Sequence, residues 1–243
     1  MDSSPAHRAP QPLPLADLSL GAAALAGLLL ITTRIATVSS PTTILAVALY
    51  AGFALTVVAG LGLSGCRFGP ADRVTLVRAV LVLFLASLAG TPVLLQTLAW
   101  PYALLCLLAL IMDGADGYVA RRTGTASPFG ASFDMELDAF FILVLCVALM
   151  VLGKAGPWVL VIGLMRYGFV MAGMLWTWLN EPLPESFRRK TICVWQLITL
   201  MVALLPPVPD WFAHATLIMA LVLLAASFAL DIRYLYRHST TRS

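Results

Sequence analysis

The chain has 243 residues; 60% are apolar, only 11% are charged, and the mean hydropathy is +0.93. Soluble domains carry roughly 25% charged residues, so an ordinary soluble protein is excluded, and no polar segment is long enough to fold apart from a single membrane domain. The formal charge of +3 is too small to point to nucleic acid.

Residues 1–16 are polar and proline-rich and read as a disordered cytoplasmic tail. Asp17 to about Ala36 predicts a first membrane helix, retained rather than cleaved, because Arg8 alone makes a weak signal-peptide start. Pro41 opens a second helix, Thr42 to about Leu63. Gly69-Pro70 then breaks the chain ahead of an interfacial helix carrying Asp72, Arg73 and Arg78, which leads into a third span at about Val74–Leu88. The fourth span is expected at Leu94–Ala120, the fifth at Ala131–Leu152 and the sixth at Trp158–Leu179. The seventh is expected at Thr191–Leu205 and the eighth at Asp210–Leu230. The four cysteines (Cys66, Cys106, Cys146, Cys193) are far apart with no C-x-x-C spacing, and read as free thiols rather than a disulfide or zinc site.

Eight spans put both termini and all even-numbered loops on one side. That side collects twelve basic residues, from Arg8 to Arg242 and including Arg67, Arg73 and Arg78; only Arg34 and Lys154 fall opposite, and Arg166 lies within a span. The positive-inside rule makes the basic side cytoplasmic.

The stretch from Asp113 to Asp138, DGADGYVARRTGTASPFGASFDMELD, joins the fourth and fifth spans on that side. It holds five of the twelve acidic residues. Carboxylates at the ends of apolar runs are costly and mark a functional site by default. Asp113 and Asp116 are three apart, and Asp134 and Asp138 four apart, so each pair shares a helix face. Two antiparallel helices would bring these four carboxylates together. Oxygen-only ligands suit Mg²⁺, Mn²⁺ or Ca²⁺, and the lack of a nearby His or Cys argues against zinc. Four carboxylates suffice for two ions, which can clamp a phosphate on both its attacking and leaving oxygens. Gly117, Ala120 and Gly130 would let a phosphate approach the backbone, and Arg121 can fork onto it. Glu136 lies about 200° around the helix from Asp134 and reads as off-site, paired with a basic residue.

These positions form the pattern D-x2-D-G-x2-A-R-x8-G-x3-D-x3-D, with Asp113, Asp116, Gly117, Ala120, Arg121, Gly130, Asp134 and Asp138 at its fixed places. The pattern is similar to the signature of the CDP-alcohol phosphotransferases, with no departure in residue or spacing. The broader resemblance covers about Arg73 to Arg237. It implies an all-α integral membrane protein: a six-helix CDP-alcohol phosphotransferase-like bundle with two extra N-terminal spans. The domain reading is a tail at 1–16, two additional helices at 17–64, the catalytic membrane domain at 65–237 and a cytoplasmic tail at 238–243.

The resemblance further implies transfer of a phosphatidyl group from CDP-diacylglycerol to an alcohol, with release of CMP, in phospholipid synthesis. Asp113, Asp116 and Asp134 would hold Mg²⁺ or Mn²⁺, two ions in all. Asp138 would assist them and act as general base. Gly117, Ala120, Arg121 and Gly130 would line the CDP pocket, together with Thr75. Related enzymes often carry Asn where this chain has Asp72, a departure that removes an amide donor and adds charge near a diphosphate. The resemblance also implies a homodimer in a bacterial inner membrane, with the site facing the cytoplasm.

The acceptor is less defined. Arg166, mid-span in LMRYGFV, either neutralises a structural carboxylate or binds a phosphate on the acceptor. Lys190 is either an interfacial positive-inside residue or a second contact for that phosphate. Gln196 reads as a polar group bonded within the bundle. Two other functions share some features. An intramembrane prenyltransferase also uses aspartates and Mg²⁺ on a lipid diphosphate, but with two separated clusters. An ion transporter would place its carboxylates near the bilayer midplane rather than at span ends.

Overall fold

The computed structural model describes residues 14–64, 68–123, 128–180 and 186–240; at 64, 71, 115–123, 128, 177, 180 and 238–240 it describes the backbone alone. The N-terminal tail to residue 13 and residues 241–243 lie outside the described residues.

All regular structure among the described residues is helical. The elements are α1 (Leu15–Ile35), α2 (Ser40–Ser64), α3 (Pro70–Ala89), α4 (Pro92–Thr97) and α5 (Ala99–Thr123), then α6 (Pro128–Val151), α7 (Leu160–Leu175), α8 (Phe187–Leu204) and α9 (Asp210–Thr240). Short 3-10 turns flank α7 at Pro157–Val159 and Thr177–Asn180. Four segments, Leu15–Ile35, Ser40–Leu63, Pro157–Leu175 and Asp210–Arg237, are long and apolar enough to cross a bilayer. Their exposed Leu, Ile, Val and Met side chains, such as Leu30, Val47, Met171 and Val222, suit contact with acyl chains. The protein is an integral membrane protein.

The third helix is the hub. Apolar residues wrap all its sides, and Ala79 to Leu85 are buried without a break. A helix that is hydrophobic all round belongs in the middle of a bundle. α1, α2, α5 and α6 all pack on α3, while α6 also packs on α7 and α8, and α8 pairs with α9. Pro70 at the first helical turn starts α3, where a missing N–H costs nothing. The expected interfacial helix and third span are therefore one continuous element.

The fourth expected span is instead divided. α4 ends at Thr97, Leu98 leaves helical geometry, and α5 begins at Ala99. Pro101 is the physical reason. It has no N–H to give the Thr97 carbonyl, and its ring would collide there if one helix continued.

Gly163 lets α7 approach α6 closely. A Cβ there would lie 2.8 Å from Leu143 Cα, a backbone atom that cannot move aside. Polar ties hold the ends of the other helices. Lys154 Nζ, in the turn after α6, donates to the Leu205 carbonyl at 2.5 Å and to the Val208 carbonyl at 3.3 Å. Arg188 of α8 donates to Ser227 Oγ at 2.7 Å and to Asp231 Oδ1 at 2.5 Å, clamping α9.

Candidate active site

Asp113 sits near the end of α5, and Asp134 and Asp138 stand one turn apart near the start of α6. Both helices pack on α3, and the three carboxylates meet there: one ligand atom from each lies within 4.8 Å of the others. Each carboxylate is partly exposed, with side-chain accessibilities of 31%, 38% and 25% for Asp113, Asp134 and Asp138. The cluster is thus reachable from water and still close enough for strong mutual repulsion.

Arg78 answers part of that repulsion. It projects from the buried middle of α3, with its side chain only 3% exposed. Its Nη1 donates to Asp113 and its Nη2 to Asp134. Nη1 also lies 3.2 Å from Asp138 Oδ1. A planar fork of donors suits such bridging, and an ionised pair makes each hydrogen bond stronger than a neutral one. Thr75 precedes Arg78 by three residues, so the two share a face of α3. Thr75 is buried.

Arg78 bears one positive charge and the three carboxylates three negative ones. The contacts of Arg78 described here fall on Oδ1 atoms, and a carboxylate has a second oxygen to offer. Oxygen ligands at this spacing fit a hard divalent cation. Asp113, Asp134 and Asp138 are the residues that would hold it.

Asp116, Gly117, Ala120 and Arg121 all lie on the backbone of α5, but their side chains fall outside the described residues. Gly130 is in the first turn of α6, four residues before Asp134. Asp72 has a clear local role. Its Oδ2 accepts the Gly69 N–H at 2.7 Å and so closes the start of α3. Burial pushes its carboxyl above the ordinary aspartate range, and the Gly69 N–H partly opposes the rise.

Beside the cluster is a cavity of about 330 Å³ between α6, α7, α8 and α9. Asp138 is on its wall, as are Arg166, Arg189, Gln196 and Asp231 among apolar side chains such as Ile142, Ile162 and Phe228. Arg166 Nη2 donates to Glu136 at 2.5 Å, the basic partner expected for that off-site glutamate. Arg166 Nε is buried with no hydrogen-bond partner among the described residues. Gln196 is 3% exposed, and its Nε2 is likewise without a partner, against the expectation that it bonds within the bundle. Lys190 is exposed on α8 and does not line the cavity; the adjacent Arg189 does.

Reading the sequence missed Arg78, which was counted as an interfacial positive charge. The signal was there in VTLVRAVLVLFL, where a lone arginine deep in an apolar run needs a buried counterion. Arg189 had no such signal, because three basic residues follow one another and only the helical phase selects one.

The profile of the CDP-alcohol phosphatidyltransferases matches residues 68–230. The chain belongs to the CDP-alcohol phosphatidyltransferase family. The match runs from the start of α3 into α9 and contains Asp113, Asp134 and Asp138 and every residue of the cavity wall except Asp231. Comparison with curated proteins and with solved structures found no match. As a CDP-alcohol phosphatidyltransferase the protein is a transferase of substituted phosphate groups acting in phospholipid synthesis, rather than a prenyltransferase or an ion transporter. The family's use of a divalent metal accords with the donor set of Asp113, Asp134 and Asp138.

Proposed function

We propose that the protein transfers the phosphatidyl group of CDP-diacylglycerol to a small phosphorylated alcohol and releases CMP. The observation that carries this reading is the position of Asp138, which belongs at once to the carboxylate cluster and to the wall of the cavity. A group in that place can meet a donor held at the cluster and an acceptor lying in the cavity.

Bound divalent metal would neutralise the diphosphate oxygens and favour departure of CMP. The chain's own residues supply the rest. Asp138 takes the proton of the acceptor hydroxyl as its oxygen attacks the phosphorus that carries diacylglycerol. A new P–O bond forms to the acceptor, and the P–O bond to CMP breaks. Asp113, Asp116 and Asp134 are assigned to the metal, here two ions of Mg²⁺ or Mn²⁺. Gly117, Ala120, Arg121, Gly130 and Thr75 are assigned to the CDP moiety. Arg78 keeps Asp113, Asp134 and Asp138 in register.

The acceptor class rests on the cavity. Arg166 and Arg189 on its walls suit an anionic group. The buried, unpartnered Nε2 of Gln196 suits an oxygen on the same molecule. Lys190, exposed outside the cavity, is assigned to the membrane surface. The distribution of basic residues supports eight spans with the site on the cytoplasmic side, where CDP and a polar acceptor arrive from water; a bacterial inner membrane is the proposed setting. A homodimer is the proposed assembly.

The test is CMP release by purified protein supplied with CDP-diacylglycerol, Mg²⁺ or Mn²⁺, and a panel of acceptors, with the lipid product identified by mass. Glycerol 3-phosphate or an inositol phosphate should support release. Release with neutral alcohols alone would remove the anionic acceptor, and no release with any acceptor would remove the donor.

A further inference from the structure

The N-terminal pair α1–α2 lies outside the matched family region, yet it is fastened to the site. Tyr50 Oη of α2 donates to the Leu18 carbonyl of α1 at 2.5 Å. Asp17 of α1 pairs with Arg73 of α3, Nε to Oδ1 at 3.1 Å. From Tyr50 a chain of rings leads to α6. The Tyr50 and Phe53 centroids are 6.0 Å apart, those of Phe53 and Phe133 5.6 Å, and Phe133 stacks on Phe129 at 5.9 Å with 8° between planes. Gly60, seven residues after Phe53 on α2, completes the seat. A Cβ there would lie 2.5 Å from Phe129 Cε2, closer than carbon atoms can approach.

Phe129 and Phe133 are four apart on α6, and so are their immediate neighbours Gly130 and Asp134. The two rows sit about 100° apart on one rigid helix. Any tilt or rotation that relieves Phe129 therefore carries Gly130 and Asp134 with it. A row of aromatic rings at helical spacing is ordinary core packing in most proteins. Here the rings join a segment outside the family match to the turn that bears one ligand of the cluster, and a Cβ at Gly60 would force the Phe129 ring to shift.

We propose that α1–α2 is a positioning element for the donor side of the site: α2 fixes Gly130 and Asp134 by seating the Phe129 and Phe133 rings against Phe53 and Gly60. Gly60 and Phe53 are positioning residues, since neither touches the carboxylates. The inference rests on the reading that Asp134 meets metal and donor.

The experiment compares Gly60→Ala with Gly62→Ala in full-length, detergent-solubilised protein. A Cβ at Gly62 meets nothing within 4 Å, so both variants gain the same helix propensity and only one disturbs Phe129. Mn²⁺ affinity is read by electron paramagnetic resonance, and the donor KM by CMP release. Gly60→Ala should weaken Mn²⁺ binding and raise the donor KM by roughly tenfold, the usual cost of a lost supporting contact, while kcat changes less. Gly62→Ala should match wild type. Adding Phe129→Leu to Gly60→Ala should restore part of both. Phe53→Leu, which thins the ring stack without a clash, should shift both in the same direction and covers the case in which Gly60→Ala does not fold.

Equal Mn²⁺ affinity in Gly60→Ala, Phe53→Leu and wild type overturns the proposal, and so does wild-type protein that binds no Mn²⁺. Wild-type protein that binds Mn²⁺ but releases no CMP overturns the transfer reading, and the Mn²⁺ comparison still decides this one.

Discussion

Arg78 Nη1 of α3 lies 3.2 Å from Asp138 Oδ1 of α6. The same guanidinium bridges Asp113 and Asp134, so one buried cation from α3 ties the end of α5 to the start of α6. Removing one partner from such a group leaves uncompensated charge and costs about 3–5 kcal/mol. Arg78→Ala should lower the unfolding temperature and reduce CMP release at least a hundredfold, on the order of the loss expected when a site shifts by about 1 Å. Arg78→Lys keeps the charge without the fork and should fall between. Added Mn²⁺ should raise the unfolding temperature of Arg78→Ala more than that of wild type, because the ion replaces the missing positive charge. Equal shifts would show that Arg78 and the metal do not share the cluster.

Asp138→Asn tests the division of labour among the carboxylates. An amide keeps the shape of the side chain and cannot take a proton at neutral pH. Turnover should fall by about 10²–10⁴, the usual range for a general base, while donor binding persists. Isothermal titration with CDP-diacylglycerol, alongside CMP release, reads the two separately. Chelation with EDTA should abolish turnover in wild type, and Mn²⁺ or Mg²⁺ should restore it. Undiminished turnover in the Asn variant would remove Asp138 as the base.

Asp72→Asn follows from burial. A carboxyl whose folded pKa is raised binds its proton more tightly in the folded state. Its ionisation therefore costs stability as pH rises from the ordinary value of 3.8 through the raised folded value, and the full cost stands at neutral pH. The asparagine oxygen can still accept the Gly69 N–H. Asp72→Asn should raise the unfolding temperature near pH 7 by about 2–4 °C, the response of a chain this size to about 1 kcal/mol. The gain should vanish as the pH falls to 4. A gain that grows in acid would reverse the sign of the argument. Activity should hold, since asparagine keeps the shape of the side chain and its contact with the Gly69 N–H.

Gln196 and Arg166 should act on the acceptor alone. Gln196→Leu removes a buried amide that has no partner within the described residues, so folding should suffer little. If the amide meets the acceptor, its KM should rise about tenfold, equivalent to roughly 1.4 kcal/mol, with the donor KM unchanged. Arg166→Met should do the same for phosphorylated acceptors and leave neutral ones unaffected. Steady-state kinetics with each substrate varied in turn checks both. A donor KM that rises in parallel would place these residues outside the acceptor cavity.

Much of this was legible in the sequence because its cause is local. Asp134 and Asp138 share a face by the helical repeat alone, while their meeting with Asp113 depends on both helices packing on α3. The starts of α3 and α9 are marked by Pro70 and Asp210. Other features depend on what packs against what. Arg78 was counted as a surface charge because loop-charge counting looks only at sequence distance from a span end. Its true neighbours stand 35 to 60 positions away on other helices. Arg189 was passed over for Lys190, since one residue along a helix turns the side chain by about 100°. Pro101 was visible throughout, but the break before it was absorbed into one long apolar run.

The burial of α3 from Ala79 to Leu85 also bears on the order of synthesis. Arg78 leaves the ribosome 56 residues ahead of Asp134, one of the carboxylates that will neutralise it. At about 5–20 residues per second that is an interval of roughly 3–11 s. During it α1 and α2, already made, can cover α3 and anchor Arg73 through Asp17. The N-terminal pair thus stands where a holding partner is needed, beside a helix whose charge must wait for its counterions.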